Sequence, residues 1–151
     1  MLERTGPNRG ELAKAQLTLQ QAETKLERIV ALLGERRAER HDLETHIQEA
    51  AATGDMDKLV DLQNRAGVVE KTIAELRAAE AECAGRVESA RRYLYTLYVR
   101  LEKLRQEFAG LMRKLASIDQ GENVPGDVQT SLGRIKIQLK AITGENSTGR
   151  L

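Results

Sequence analysis

Apolar residues recur every seven positions over most of the chain, and this spacing restricts the fold more than any other feature. With position a placed at Leu12, the a series runs Leu12, Leu19, Leu26, Leu33, Arg40, Ile47, and the d series Ala15, Ala22, Ile29, Arg36, Leu43, Ala50. Ten of these twelve positions are apolar. A second register starts with a at Leu59 and continues through Ala66, Ile73, Glu80, Val87, Leu94, Leu101, Phe108 and Leu115. Its d series is Leu62, Val69, Leu76, Cys83, Ala90, Leu97, Leu104, Leu111 and Ile118, so seventeen of its eighteen positions are apolar. Nine unbroken heptads are a coiled-coil pattern. The strict 3.5-residue period predicts a left-handed supercoil.

The two registers are out of phase. Ile47 and Leu59 are twelve residues apart, which is not a multiple of seven. The break falls on Ala52-Thr53-Gly54-Asp55. Glycine can take the left-handed conformation that ends a helix, and an aspartate can cap the next one. Gly54 and Asp55 therefore predict a tight turn between antiparallel helices. A second break, Asp119 to Asp127, holds Gly121, Pro125 and Gly126, which stop helix propagation. Beyond it, Val128, Leu132, Ile135, Leu139 and Ile142 share one face of a short third helix, with Asp127 as its expected cap and Gly144 as its end. The expected organisation is an N-terminal tail (1–8), a helical hairpin coiled coil (9–119), a loop (120–126), a short amphipathic basic helix (127–143) and a mobile tail (144–151).

Helix lengths follow at ~1.5 Å per residue: roughly 65 Å for helix 1 and roughly 95 Å for helix 2. Folding back about Gly54 sets opposite each other residues whose numbers sum to about 107, so Leu12 is expected near Tyr95. Folding back about Asn123 gives sums of about 247, so Ile142 is expected near Arg105. The predicted fold is all-α: a long antiparallel coiled-coil hairpin with helix 2 as the spine of a rod, and a short third helix folded onto its C-terminal end. The expected seam and oligomer contacts are Leu59, Leu62, Val69, Ile73, Leu76, Leu94, Leu97, Leu101, Leu104, Phe108 and Leu111. Apolar residues also lie beyond that seam: Leu17, Val30, Ala31 and Leu32 on helix 1, and Val60, Val68, Tyr95, Val99 and Met112 on helix 2. A thin hairpin leaves these wet, whereas pairing two hairpins into a bundle covers them. Self-association is the expected behaviour.

Composition removes other classes. Aromatics make up 3% of the 151 residues, which disfavours a β-sandwich or a doubly wound sheet. Twelve glycines and one cysteine exclude collagen-like and disulfide-scaffold chains. No stretch approaches the ~18 consecutive apolar residues of a membrane helix, and MLERTGPNRG has no apolar leader core. A cytoplasmic protein, or one inside an assembling particle, is expected. His41 and His46 are five apart, not the three or four a helical ligand pair needs, and no Glu-x-x-His occurs. Cys83 occupies a d position, where a thiol is a core residue. No phosphate-binding loop, nucleophile elbow or zinc-helix motif is present. The expectation is no enzyme, no cofactor, no metal and no small-molecule ligand.

Charge is segregated. Glu35–Glu82 holds 7 basic and 12 acidic residues, a net of −5; Ala84–Lys114 holds 8 basic and 3 acidic, a net of +5. The whole chain carries +1. Rods with such a dipole favour head-to-tail or staggered packing. Arg36, Arg40 and Glu80 interrupt the seam. Glu70 is expected close to both arginines, as a register-fixing pair or beside heads that snorkel to water. The basic segment also contains every tyrosine, in the stretch 91–105 with Arg91, Arg92, Tyr93, Tyr95, Tyr98, Arg100, Lys103 and Arg105. Basic residues interleaved with aromatics can hold nucleic acid; alternatively, the tyrosines plug the junction where helices 1 and 3 meet on helix 2, the favoured expectation. Helix 3, with Arg134, Lys136 and Lys140, either closes the end of the rod or docks on another protein.

In architecture the chain resembles the broad group of coiled-coil scaffolding and assembly-chaperone proteins, including viral scaffolds with a short basic C-terminal helix. That resemblance implies a structural role through self-association and binding of another protein. A second resemblance lies in Ile47–Asp55 followed by Val69–Ile73, which is similar to the hairpin of bacterial transcript-cleavage factors and implies a regulator acting on RNA polymerase. Those factors carry a second acidic residue three positions after the tip aspartate, where this chain has Lys58, with Asp57 the nearest substitute. The globular domain of that family has no counterpart here.

Overall fold

The computed structural model describes residues 10–118 and 125–144. The expected N-terminal tail 1–8, most of the 120–126 loop and the tail after Gly144 lie outside the described residues. Three helices account for nearly all of what is described: α1 (Glu11–Thr53), α2 (Met56–Ala116) and α3 (Gly126–Thr143). Among the described residues there is no strand, and no helix is long and apolar enough to cross a membrane. The fold is all-α: α1 and α2 form an antiparallel hairpin, and α3 folds back on the C-terminal part of α2.

The turn between α1 and α2 is built by two residues. Gly54 has φ 76°, and its N–H donates to the Ala50 carbonyl at 3.0 Å. The Asp55 N–H reaches the same carbonyl at 3.2 Å, closing the wider ring of a glycine-terminated helix. The Asp55 carboxylate then accepts from the Lys58 N–H at 3.2 Å and caps α2.

The other boundaries differ from expectation by a few residues. α2 stops at Ala116, three residues before the expected end at residue 119. Ser117 bonds its hydroxyl to the Lys114 carbonyl at 2.7 Å, and Ile118 N–H turns back to Leu115 at 3.1 Å. These tighter bonds close the last turn before Gly121 is reached. α3 begins at Gly126, and its N-cap is Pro125, not Asp127. The Pro125 carbonyl already accepts the N–H groups of Val128 and Gln129. Asp127 is left in the first turn, where its charge complements the helix dipole without a capping bond.

The chain divides into two compact units, Gln20–Glu88 and Met1–Leu19 with Ser89–Leu151. In the first, α1 and α2 interdigitate about a core of Ile29, Leu33, Leu43, Ala50, Leu62, Val69, Ile73 and Cys83. Every heptad a and d position in it is buried or half-buried. In the second, α2 packs against α3 through Leu101, Leu104, Ile135, Leu139 and Ile142, with Leu12 of α1, Phe108 and Leu111 around them. No charged or polar side chain is buried among the described residues.

The facing of α1 and α2 is offset from simple fold-back. Arg40 meets Glu70, Glu11 meets Arg100 and Gln16 meets Tyr98, so paired numbers sum to 110–114 instead of 107. Helical side chains lean toward the N-terminus of their own helix. In an antiparallel pair this lean carries α1 side chains away from the turn and α2 side chains toward it. Each α1 residue thus meets an α2 residue a few positions further along. Leu12 accordingly packs with the Leu101–Ile142 cluster, and Tyr95 is left 70% exposed.

Candidate functional site

The seam residues lie inside the chain's own packing. Leu62, Val69, Ile73, Leu97, Leu101 and Leu104 are buried, and Leu59, Leu76, Leu94, Phe108 and Leu111 are half-buried. The apolar surface left for another molecule is a different set: Leu17, Val30, Leu32, Val60, Val68, Tyr93, Tyr95, Tyr98, Val99, Met112 and Ile137 are all exposed.

The tyrosines do not plug a junction. Tyr93, Tyr95 and Tyr98 are all exposed, because they occupy the g, b and e positions that flank or oppose the seam. Tyr98 receives a hydrogen bond on its hydroxyl from Gln16 Nε2 at 3.0 Å, and Arg100 pairs with Glu11 at 2.9 Å. These two contacts latch the start of α1 to α2. Tyr93 borders a cleft of about 260 Å³ with Lys14 and Thr18. Arg91 and Arg92 lie on the exposed surface beside it.

The junction is filled by backbone instead. Gly10 is buried against Ile142, Thr143 and Gly144, and a β-carbon at Gly10 would lie 2.5 Å from the Ile142 carbonyl oxygen. Gly144 ends α3 with φ 73° and donates to the Lys140 carbonyl at 2.7 Å. The negative end of the α3 dipole thus meets the positive end of α1, a favourable alignment.

The seam arginines behave differently from each other. Arg40 crosses to Glu70 at 3.4 Å and also approaches Glu44 on its own helix at 3.8 Å. Arg36 turns to Glu39 and Glu35 on its own helix. Both heads are partly exposed, so these pairs stabilise little, and only Arg40–Glu70 bears on how the two helices face each other.

A second, larger cleft of about 650 Å³ opens between the last turns of α2 and the middle of α3. Its described lining joins buried Ile135 and half-buried Leu111 to the exposed cations Arg113, Lys114 and Arg134 and one acid, Glu107. Of these cations the sequence points to Arg134 and not to Arg113 or Lys114. The signal was present, since fold-back about Asn123 sets Arg113 opposite Arg134. Lys136 and Lys140 lie outside this cleft; Lys140 is in the last turn of α3, where a cation complements the dipole.

At the hairpin tip, Asp55, Asp57 and Lys58 are exposed, as are His41 and His46. Among the described residues no group of three or more His, Cys, Asp or Glu side chains is arranged to hold a metal ion. No protein-family model matches the chain, and no curated protein or solved structure matches it significantly.

Proposed function

We propose that this protein is a non-enzymatic coiled-coil structural or assembly protein, a scaffold, spacer or assembly chaperone that works by associating with itself and with another protein. One observation carries the reading: large apolar side chains stay exposed along both long helices although the heptad seam is already filled by the chain itself. Val68 is 67% exposed and Tyr95 70%, far from anything the hairpin needs for its own core. Exposed apolar surface of this kind is covered by association. Segregation of charge into stretches of −5 and +5 gives such association an orientation. The setting in keeping with it is the cytoplasm or the interior of an assembling particle, viral scaffolds included.

Light scattering on the intact chain, after size exclusion at several concentrations, tests this. The expected mass is twice 16.8 kDa or more. A mass of 16.8 kDa at every concentration overturns the self-association reading.

A second reading has one observation in its favour. Exposure of Tyr93, Tyr95 and Tyr98 between basic residues leaves their rings available for base stacking. A 30-nucleotide single strand then binds at low salt, with a steep loss of affinity as salt rises. Absence of binding at low salt removes this reading.

A further inference from the structure

We propose that the cleft between the end of α2 and α3 receives the face of α2 that carries Asp57 and Asp61, from a second copy of the chain. The inference rests on the self-association reading and assigns it a contact. Among the described residues the cleft is lined by apolar Leu111 and Ile135 and by three cations, Arg113, Lys114 and Arg134, against one acid, Glu107. None of the three cations is paired with another described residue. Cations that outnumber acids three to one among the described lining residues favour an anionic occupant.

The occupant's chemistry is present in the same chain. Asp57, Val60, Asp61 and Val68 follow the i, i+3, i+4, i+11 spacing that sets residues on one helix face. All four are exposed, Val60 at 52% and Val68 at 67%. Asp57 has no partner among the described residues, and Asp61 is held only by Arg65 on its own helix, at 3.3 Å. Carboxylates beside valines complement cations beside apolar lining residues. An amphipathic helix laid in a groove between two helices is a recurrent recognition mode. The stripe lies within the segment of net −5 (35–82) and the α2 half of the cleft within that of net +5 (84–114), whose mutual attraction favours the approach of two copies. A nucleic acid fits less well, since it needs cations tracking a backbone, whereas these cations share the lining with Leu111, Ile135 and Glu107.

Because the contact joins two different patches, it is heterologous: each copy offers both a cleft and a stripe. Two double variants of the full chain test it, Arg113→Glu with Arg134→Glu, and Asp57→Lys with Asp61→Lys. All four positions are exposed, so both variants are expected to keep the wild-type helical signal in circular dichroism. Light scattering then reads mass. The expected result is an associated wild type, each variant alone reduced to 16.8 kDa, and a one-to-one mixture that regains the wild-type mass. Restoration on mixing is an outcome that mere destabilisation cannot produce. If both variants keep the wild-type mass, or the mixture fails to recover, this contact is overturned while self-association stands. If the wild type itself is monomeric, both readings fall. If the cleft variant keeps its mass but loses binding of a 30-nucleotide single strand, the cleft is a polyanion site and the inference is overturned.

Discussion

Glycines in this chain carry opposite consequences at different positions. Gly10 is in backbone contact with Ile142, Thr143 and Gly144, so a methyl there must push α1 and α3 apart. Gly67 and Gly85 lie within α2 with open space around a would-be β-carbon. Gly10→Ala is expected to destabilise by about 1–3 kcal/mol, the range for overpacking. Gly85→Ala is expected to stabilise by about 0.5–1 kcal/mol, because alanine loses less backbone entropy in a helix. Urea unfolding midpoints check both, and equal signs for the two would contradict the packing described. Cys83 is a second residue whose surroundings decide its behaviour. It is buried in the α1–α2 core at a d position. Its thiol is expected to be inert to a disulfide reagent in the native protein and to react fully in denaturant, as read by the released chromophore. The d-position reading was legible in the sequence because heptad spacing reports which side of a helix is covered. The role of Gly10 was not, since close approach of two backbones leaves no periodic trace.

At the level of elements, α3 owes its place to a few side chains. Val128, Ile135, Leu139 and Ile142 are its buried residues, and its N-terminus has no side-chain cap. Most of the stability of an amphipathic helix in a protein comes from packing of its apolar face, so packing on α2 is what holds α3. Leu139→Asp is expected to release α3, lowering helical circular dichroism by up to about a seventh, the share of an 18-residue helix beside helices of 43 and 61. Hydrogen exchange should show amide protection lost over 126–143 and kept at Leu33, Leu43 and Ile73. Loss of protection throughout would mean that α3 is integral to the α1–α2 core. The existence of all three helices was legible from the apolar period and the glycine breaks. Their facing was legible only to within a few residues, because number sums ignore the lean of helical side chains. That lean separates Leu12 from Tyr95 and leaves the tyrosine rings in solvent.

For the whole molecule, charge segregation and exposed apolar surface make contrasting predictions. Screening shortens from roughly 30 Å at 0.01 M salt to roughly 3 Å at 1 M. Association that depends on the −5 and +5 stretches should weaken over that range, with the mass average in sedimentation velocity falling toward 16.8 kDa. A mass that holds or rises with salt would assign the association to apolar contact alone. The cleft at Arg113, Lys114 and Arg134 belongs to this scale because residues from two helices make it. Arg134 is legible in the sequence as part of a basic helix. The α2 half is not, since the last-turn cations of a long helix look like ordinary dipole compensation until another helix is laid beside them.

Heptad spacing, the turn at Gly54-Asp55 and the breaks after α2 sufficed to establish an all-α hairpin with a third helix, because periodicity and backbone conformation are local properties. Which surfaces stayed uncovered depended on contacts between residues far apart in the chain. The seating of Gly10 on Gly144, the exposure of the three tyrosines and the meeting of Arg113 and Arg134 in the lining of one cleft each arise from how side chains lean and backbones approach once the helices are packed.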